Sequence, residues 1–536
     1  MNTLFIVILT IIIFGAGYLF YAKKIEDIFK PDPNRKTPAH FKYDGVDYVP
    51  AKHWLILFGH HFASIAGAAP IIGPILAISI WGWAPTLLWI VLGTVFIGGV
   101  HDFASLMVSA RHGGSSIADF SQQVISKNTK YIFLAFLWVT LILIIAVFVH
   151  VCAKTLIVKP EIVIPSSGLI PLAILVGYLL YIKKLNQVFV TLLGLFGLTA
   201  LIFWGSKVPV TVPGDAMMIW SIILLVYAFF ASVIPVHILL QPRDYLSAFL
   251  LILGLLFGYA GILVSHPHIE FPAYINWGAG TGMMLWPVLF VTVACGAISG
   301  FHSIVASGTT SKQLPNEIYA KRIGYGAMVA EGLLAAMALL VVAAAYSHVS
   351  LLKNTVTGSA GPAGAFGFGY GKVTESFLGG FGALFAMLIL NAFILTTLDT
   401  ATRIGRYLTQ ELFKIKNRYL ATIVIIALSA WLGLSGEWNE IWPIFGSANQ
   451  LIAALALIVI TSWLLSTRKK IRYTFIPTIF MLATTIGALV VKGIQYYREK
   501  NHILMIIAVV LLVLACFILF EAIQSVMKIH KQRRIK

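Results

Sequence analysis

The sequence predicts an all-α polytopic membrane protein with about fifteen transmembrane helices. Three observations carry that expectation. Of 536 residues, 59% are hydrophobic and only 11% are charged, a balance found in chains whose outer surface meets lipid. Apolar windows of about 20 residues, the length that crosses a bilayer, recur from one end of the chain to the other. The basic residues fall in short loops between these windows, and they fall unevenly.

The windows lie near residues 2–22, 54–79, 84–110, 131–153, 168–182, 187–206, 217–240, 245–265, 283–307, 323–346, 374–401, 419–435, 441–464, 473–491 and 503–527. With the N-terminus outside, the loops beginning at Lys23, Arg111, Lys183, Arg243, Lys312, Arg403, Arg468 and Lys528 are cytoplasmic. They hold 30 of the 38 Lys and Arg, the asymmetry that orients membrane proteins, and they put the C-terminus in the cytoplasm. The formal charge of +18 is therefore a matter of topology; the lipid bilayer is the expected partner, and nucleic acid is not. Cys152, Cys295 and Cys516 all sit in apolar windows without metal or redox spacing and read as packing residues. The first 22 residues lack a basic leader and end in YAKK, so they read as a retained span rather than a signal peptide.

The polar stretch Lys23 to His53 reads as a cytoplasmic connector, or as an amphipathic piece lying on the lipid surface. After it comes the most unusual window. FGHHFASIAGAAPIIGPILA, Phe58 to Ala77, carries two adjacent histidines, three glycines and two prolines. Pro70 and Pro74 cannot donate backbone hydrogen bonds, and Gly67 and Gly73 weaken a helix, so the backbone is expected to unwind between Gly67 and Pro74. Freed carbonyls and amides within a bilayer must face protein, water or a ligand, and broken helices are where secondary transporters bind substrate and ion. A proline kink packed against neighbours is the other reading. The order FAS, a β-branched residue, and proline twelve places after the phenylalanine recurs at Phe62 to Pro74 and Phe230 to Pro242. Five spans separate the two starts, so the matching helices run oppositely, as in an inverted repeat. Ser347 to Lys372 is rich in glycine and small residues and reads as a flexible external loop or a lid.

An ionised group at the bilayer centre costs roughly 2.5 to 3.5 kcal/mol, so Asp102, Glu331 and Asp399 need a reason. By the assigned topology all three lie toward the cytoplasmic ends of their spans. Asp102 has Arg111 nine residues on and Asp399 has Arg403 at i,i+4; such pairs fix helix ends. Glu331 has no local basic partner and is the best acid for taking up and releasing a proton. His60, His61, His101, His150, His237 and His302 also fall in apolar spans, and His61 is favoured because it precedes the broken segment by about two turns. No HExxH motif occurs, and no metal site is expected. In CGAISGFHSIVASGTTSKQL the hydroxyls of Ser307, Thr309 and Thr310 are ligands for a small hard cation, or helix caps. Asn449 and Gln450 read as bridges between helices.

FGHHFASIAGAAPIIGPILA, GGVHDFASLMVSARHGGSSIADF, LLQPRDYLS, CGAISGFHSIVASGTTSKQL, FILTTLDTATRIGRYLTQEL and FGSANQLIAALAL together closely resemble the carbon starvation protein A (CstA) family, from Phe58 to about Leu457. The resemblance implies a bacterial inner-membrane transporter of peptides or pyruvate with a core of five plus five inverted helices, as in the amino acid/polyamine/organocation superfamily (APC/LeuT-like). It implies an extra span and connector at 1–53, repeats at 54–206 and 217–401, and four peripheral spans at 419–536. It also puts Ser307 to Thr310 where that superfamily often holds a sodium ion.

The combined reading is a secondary active transporter that imports short peptides or pyruvate during carbon starvation, coupled to H+ or Na+, with no cofactor and no catalytic residues. The substrate-binding candidates are His61, Ser64, Gly67, Ala68, Pro70, Gly73 and Ser232, with the carboxylate at the unwound amides. The coupling-ion candidates are Ser307, Thr309, Thr310, His61, Glu331, Asp102 and Asp399. A membrane nutrient sensor without net transport is the alternative, disfavoured by the lack of a large soluble domain. An intramembrane enzyme ranks last for want of a nucleophile and base pair.

Overall fold

The computed structural model describes residues 2–278, 283–358, 360–434 and 438–535, and no strand occurs among them. Ser359, in the predicted loop, and Lys536, in the predicted basic tail, lie outside the described residues. In chain order the principal helices are α1 (Thr3–Phe29), α2 (Trp54–Ile65), α3 (Ala69–Trp81), α4 (Trp83–Arg111), α5 (Lys127–Val158), α6 (Pro160–Ile182), α7 (Gln187–Lys207), α8 (Ala216–Val233) and α9 (Leu240–Ser265). The second half holds α10 (285–292), α11 (300–313), α12 (Glu317–Ala345), α13 (Val349–Thr357), α14 (Gly361–Leu378) and α15 (Phe381–Phe413). It closes with α16 (Arg418–Gly433), α17 (Trp438–Ser466), α18 (Arg472–Arg498) and α19 (His502–Ile535).

Twelve helices among the described residues are long and apolar enough to cross a membrane, or thirteen with α2 and α3 taken as one bent span. The protein is thus a multi-pass membrane protein, although fifteen continuous crossings are not found. The predicted span near 283–307 is interrupted between α10 and α11. That near 419–435 is a helix of 16 residues, about 24 Å long at 1.5 Å per residue and short of a bilayer core.

The two longest helices inside the bundle, α5 and α15, pack along each other, and α2 packs on α9. The hairpin α6–α7 lies outside them, against α9, and α7 and α19 are among the spans most open to lipid, whereas the apolar stretch of α17 is the most enclosed. Between Ser347 and Lys372 the expectation of a flexible loop is corrected, because α13 and most of α14 occupy it. Glycine lowers helix propensity but lets backbones meet, and tertiary packing decides the outcome. A Cβ on Gly369 would come within 2.8 Å of the Val341 carbonyl oxygen. Phe230 to Pro242 runs through the end of α8, a turn and the start of α9, so the echo of Phe62 to Pro74 falls at a loop between helices.

The connector packs on protein, against α11 and α15. The Thr37 hydroxyl donates to the Leu314 carbonyl at 2.5 Å, and the Ala51 amide donates to that of Gln313 at 3.0 Å. Asp47 accepts from Arg403 Nη1 at 2.8 Å and Arg406 Nη2 at 3.1 Å. Burial alone would raise the Asp47 carboxyl, but these guanidiniums outweigh it and hold it at about 2, below its ordinary 3.8. A depressed carboxyl stabilises the fold above its ordinary pKa, and that contribution disappears as pH falls from about 4 through about 2. Asp47→Asn is expected to remove about 2 kcal/mol at pH 7. Melting of the purified protein in detergent checks it: the gap between wild type and variant should shrink toward pH 2.

Candidate functional site

The first broken span is set by its prolines. The His53 ring accepts from the Leu55 amide at 3.2 Å to start α2, which runs to Ile65. Ala66 to Ala68 are not helical, and α3 restarts at Ala69 with a bend of 40°. The gap is shorter than the predicted Gly67 to Pro74, because Pro70, Gly73 and Pro74 are already in α3. Proline in a first turn forfeits only an amide that has no intrahelical acceptor anyway. The carbonyls released at the end of α2 are caught by α15. Thr396 Oγ1 donates to Ala63 O at 2.6 Å, Thr397 Oγ1 to Ser64 O at 3.0 Å, and the Ser64 and Thr400 hydroxyls are 2.9 Å apart.

A second interruption, between α10 and α11, faces the first. A Cβ on Gly73 would lie 2.7 Å from Thr292 O, so glycine permits the close approach of α3 to α10. Its backbone groups are again met by side chains. Trp89 Nε1 donates to Val293 O at 3.0 Å, Thr94 Oγ1 to Gly296 O at 3.0 Å, and Gln450 Nε2 to Ile298 O at 2.9 Å. Asn449 Oδ1 accepts from the Phe301 amide at 2.8 Å, and its Nδ2 donates to Ser299 Oγ at 2.9 Å. Asn449 and Gln450 thus bridge helices, as expected.

Two buried charge networks flank the breaks. In one, Asp102 Oδ1 is 2.9 Å from His101 Nδ1, and its Oδ2 is 2.9 Å from His302 Nδ1. The other nitrogen of His302 is 3.1 Å from Glu331 Oε2 without hydrogen-bond alignment. All four side chains are fully buried. In the other, Arg243 on α9 pairs with Asp399 on α15 and with Asp244 at 2.8 Å. Tyr227 OH donates to Asp399 Oδ2 at 2.5 Å, and Asp244 Oδ2 is 2.6 Å from His60 Nδ1.

These partners correct three expectations. Asp399 takes Arg243 instead of Arg403, whose guanidinium goes to Asp47 and the carbonyls of Ala231 and Ile234. Arg111 takes Glu317 at 3.1 Å and leaves Asp102 to the histidines. Glu331 lies midway along α12 and Asp399 midway along α15, not at helix ends, because both helices run past their apolar windows.

Of the predicted substrate residues, His61, Ser64, Gly67, Ala68, Pro70 and Gly73 share the first broken span and are all buried. Ser232 stands apart, 3.5 Å from the Thr422 hydroxyl. Two of the three predicted ion-binding hydroxyls meet histidines. Thr310 Oγ1 is 2.9 Å from His61 Nδ1, Thr309 Oγ1 is 3.3 Å from His60 Nε2, and Ser307 donates to Ser303 O at 2.7 Å. His61 Nε2 has no hydrogen-bond partner among the described residues. Sequence reasoning counted His302 among the intramembrane histidines without favouring it, missed Arg243, Asp244 and Tyr227, and missed the second break. The two glycines of CGAISG beside a membrane-embedded Asn449–Gln450 pair were the available signal for that break. The donor atoms of Cys295, His302 and Glu331 lie within 4.8 Å of one another, a spacing that a metal ion or a shared proton could use equally.

Two hollows lie on opposite sides of this layer. One, of about 540 Å³, opens on the α3 side and is lined by Ala69, Ile72, Thr292, Ala294 and Met387 among others. The other, of about 200 Å³, lies toward the connector and touches Ser303, Ser307, Lys312 and Glu411.

The fold resembles that of a solved manganese transporter of Eremococcus coleocola in complex with an aromatic bis-isothiourea substituted compound. The TM-score is 0.53 at 13% identity, over 91% of this chain and 99% of that one. The chain is 32% identical to the "Peptide transporter CstA" of Campylobacter jejuni, over 94% of this chain and 82% of the relative. With that of Bacillus subtilis it shares 32%, over 98% and 97%. With the "Pyruvate/proton symporter BtsT" of Escherichia coli it shares 31%, over 92% and 82%. The sequence profile of carbon starvation protein CstA matches residues 2–353 and 344–488. The chain belongs to the CstA family of carbon starvation proteins.

Proposed function

We propose that this protein is a proton-coupled importer of small carboxylate-bearing nutrients, short peptides or pyruvate, used when carbon is scarce. The observation that carries the reading is the pair of facing helix breaks between two hollows, flanked by the buried Asp102–His302–Glu331 group. Substrate descends from the larger hollow toward the amides at the start of α3, near Gly67, Ala68, Pro70 and Gly73, with His61 and Ser64 below. A proton is held between His302 and Glu331. The relatives are named as transporters, one of them a proton symporter, and this supports a proton over sodium. So does the geometry, since the carbonyls of Ala63 and Ser64 already accept from Thr396 and Thr397.

In this reading α10–α11 and α16 also cross the membrane, giving fifteen passes with the N-terminus outside the cell membrane and the C-terminus in the cytoplasm. The repeats differ from 54–206 and 217–401. Each starts with a broken span, α2–α3 or α10–α11, followed by one span, α4 or α12, and then by a long helix, α5 or α15. Helices α8 and α9 complete the first five, α16 and α17 the second, and α6–α7 is an insertion. Six passes lie between the two broken spans, so they run oppositely, as an inverted repeat requires.

Proteoliposomes test the function. An imposed inward proton gradient should drive accumulation of labelled pyruvate or dialanine, a protonophore should abolish it, and sodium should not replace it. No gradient-dependent accumulation of either substrate rejects the reading. Glu331→Gln should end gradient-driven accumulation while leaving counterflow exchange of labelled substrate; equal loss of both would remove Glu331 from proton coupling.

A further inference from the structure

One group of buried donors has more ligating capacity than a single proton uses. The donor atoms of Cys295, His302 and Glu331 lie within 4.8 Å of one another, and His302 Nε2 is 3.1 Å from Glu331 Oε2. Zinc bonds of about 2.0 to 2.3 Å give a tetrahedron with edges of about 3.3 to 3.8 Å, so movement of about 1 Å brings Cys295 to a third corner. Neither His302 Nε2 nor either Glu331 oxygen has a hydrogen-bond partner among the described residues. The groups behind these atoms orient them as in metal centres. His302 Nδ1 is 2.9 Å from Asp102 Oδ2, and a proton donated there leaves the Nε2 lone pair facing Glu331. Asn449 Nδ2 donates to Cys295 Sγ at 3.6 Å, and the Ser299 hydroxyl lies 3.4 Å from it, contacts that suit a thiolate. The ion-pair partners of Asp102 and Glu331 among the described residues are histidines, so their negative charge is not already matched there by a lysine or arginine.

We infer that Cys295, His302 and Glu331 form a site for a thiophilic divalent cation of the Zn2+ or Cd2+ class, and that its occupancy arrests the transporter. The arrest rests on the transport reading; the site does not. Thiolate and imidazole ligands set Zn2+ ahead of Mg2+, Ca2+ and Mn2+, which take oxygen. Thr292 and Ala294 line the larger hollow, so an ion there is one residue from Cys295. Binding forms three coordination bonds and sends the Cys295 thiol proton, with the proton held between His302 and Glu331, into bulk water. The bonds tie the segment between α10 and α11 to α12 and take the place of the coupling proton.

The full chain in detergent is titrated with Co2+, whose bond to a thiolate absorbs in the near ultraviolet, as wild type, as Cys295→Ser and as Cys152→Ser/Cys516→Ser. The chain has three cysteines, so the double variant keeps Cys295 alone. The expected band saturates at a single equivalent, is removed by Zn2+ and not by Mg2+, persists in the double variant and is missing from Cys295→Ser. Zn2+ affinity, read by competition with a chromophoric chelator, should fall at least about 100-fold in Cys295→Ser, the most that losing a partner behind a ligand costs. No band in wild type, a band lost from the double variant, or a band kept by Cys295→Ser overturns the site. The wild-type and double-variant spectra decide it if Cys295→Ser does not fold. In proteoliposomes, Zn2+ should abolish proton-driven uptake of labelled pyruvate or dialanine by the double variant and spare that by Cys295→Ser. Equal inhibition of both, or of neither, overturns the arrest. Should wild type take up neither substrate, the transport reading fails and the arrest with it, while the cobalt band still judges the site.

Discussion

A peptide group stripped of its hydrogen bond in hydrocarbon costs several kcal/mol, and the architecture is a response to that cost. Two helices are interrupted, and side chains from three others close the accounts of their bare backbones. Thr396 and Thr397 serve the end of α2, while Trp89, Thr94, Asn449 and Gln450 serve the segment between α10 and α11. This is why so many hydroxyls and amides sit in helices that composition alone would call greasy. It also explains why α3 and α10 approach so closely at Gly73: the two gaps share one polar layer in which each screens the other from lipid.

Ion pairs hold the layer's surroundings. Arg243 joins α9 to α15 through Asp399 and reaches α2 through Asp244 and His60. Arg403 and Arg406 join α15 to the connector through Asp47. Breaking a buried pair leaves an uncompensated charge, a heavier penalty than never having had the pair. The helix α15 is consequently tied at its middle and toward its C-terminal end, while the α3 end of the bundle, with its larger hollow, has fewer such ties among the described residues.

Much of this was legible in the chain, and the remainder was hidden for one reason. The first break followed from Gly67, Pro70 and Pro74, whose effects are local. The need to account for Asp102, Glu331 and Asp399 followed from the price of charge in lipid. Their partners did not follow, because His302 lies 200 residues from Asp102 and Arg243 lies 156 from Asp399; local spacing offered Arg111 and Arg403 instead, and those side chains found better company across helices. The second break was masked because Val293 to Ser299 reads as apolar, with its interruption stabilised by residues of α4 and α17. The glycine-rich segment before α15 was misjudged as a loop because propensity is a local quantity, whereas Gly369 is helical for the sake of a neighbouring backbone.

The threonines at the end of α2 have a kinetic implication. A hydroxyl turns about a single bond, so Thr396 and Thr397 can let go of the Ala63 and Ser64 oxygens and take another acceptor without any main-chain dihedral moving. Thr396 Oγ1 already has a second acceptor, Phe393 O at 2.9 Å, so exchange of partners at this junction asks only for the turning of a buried side chain.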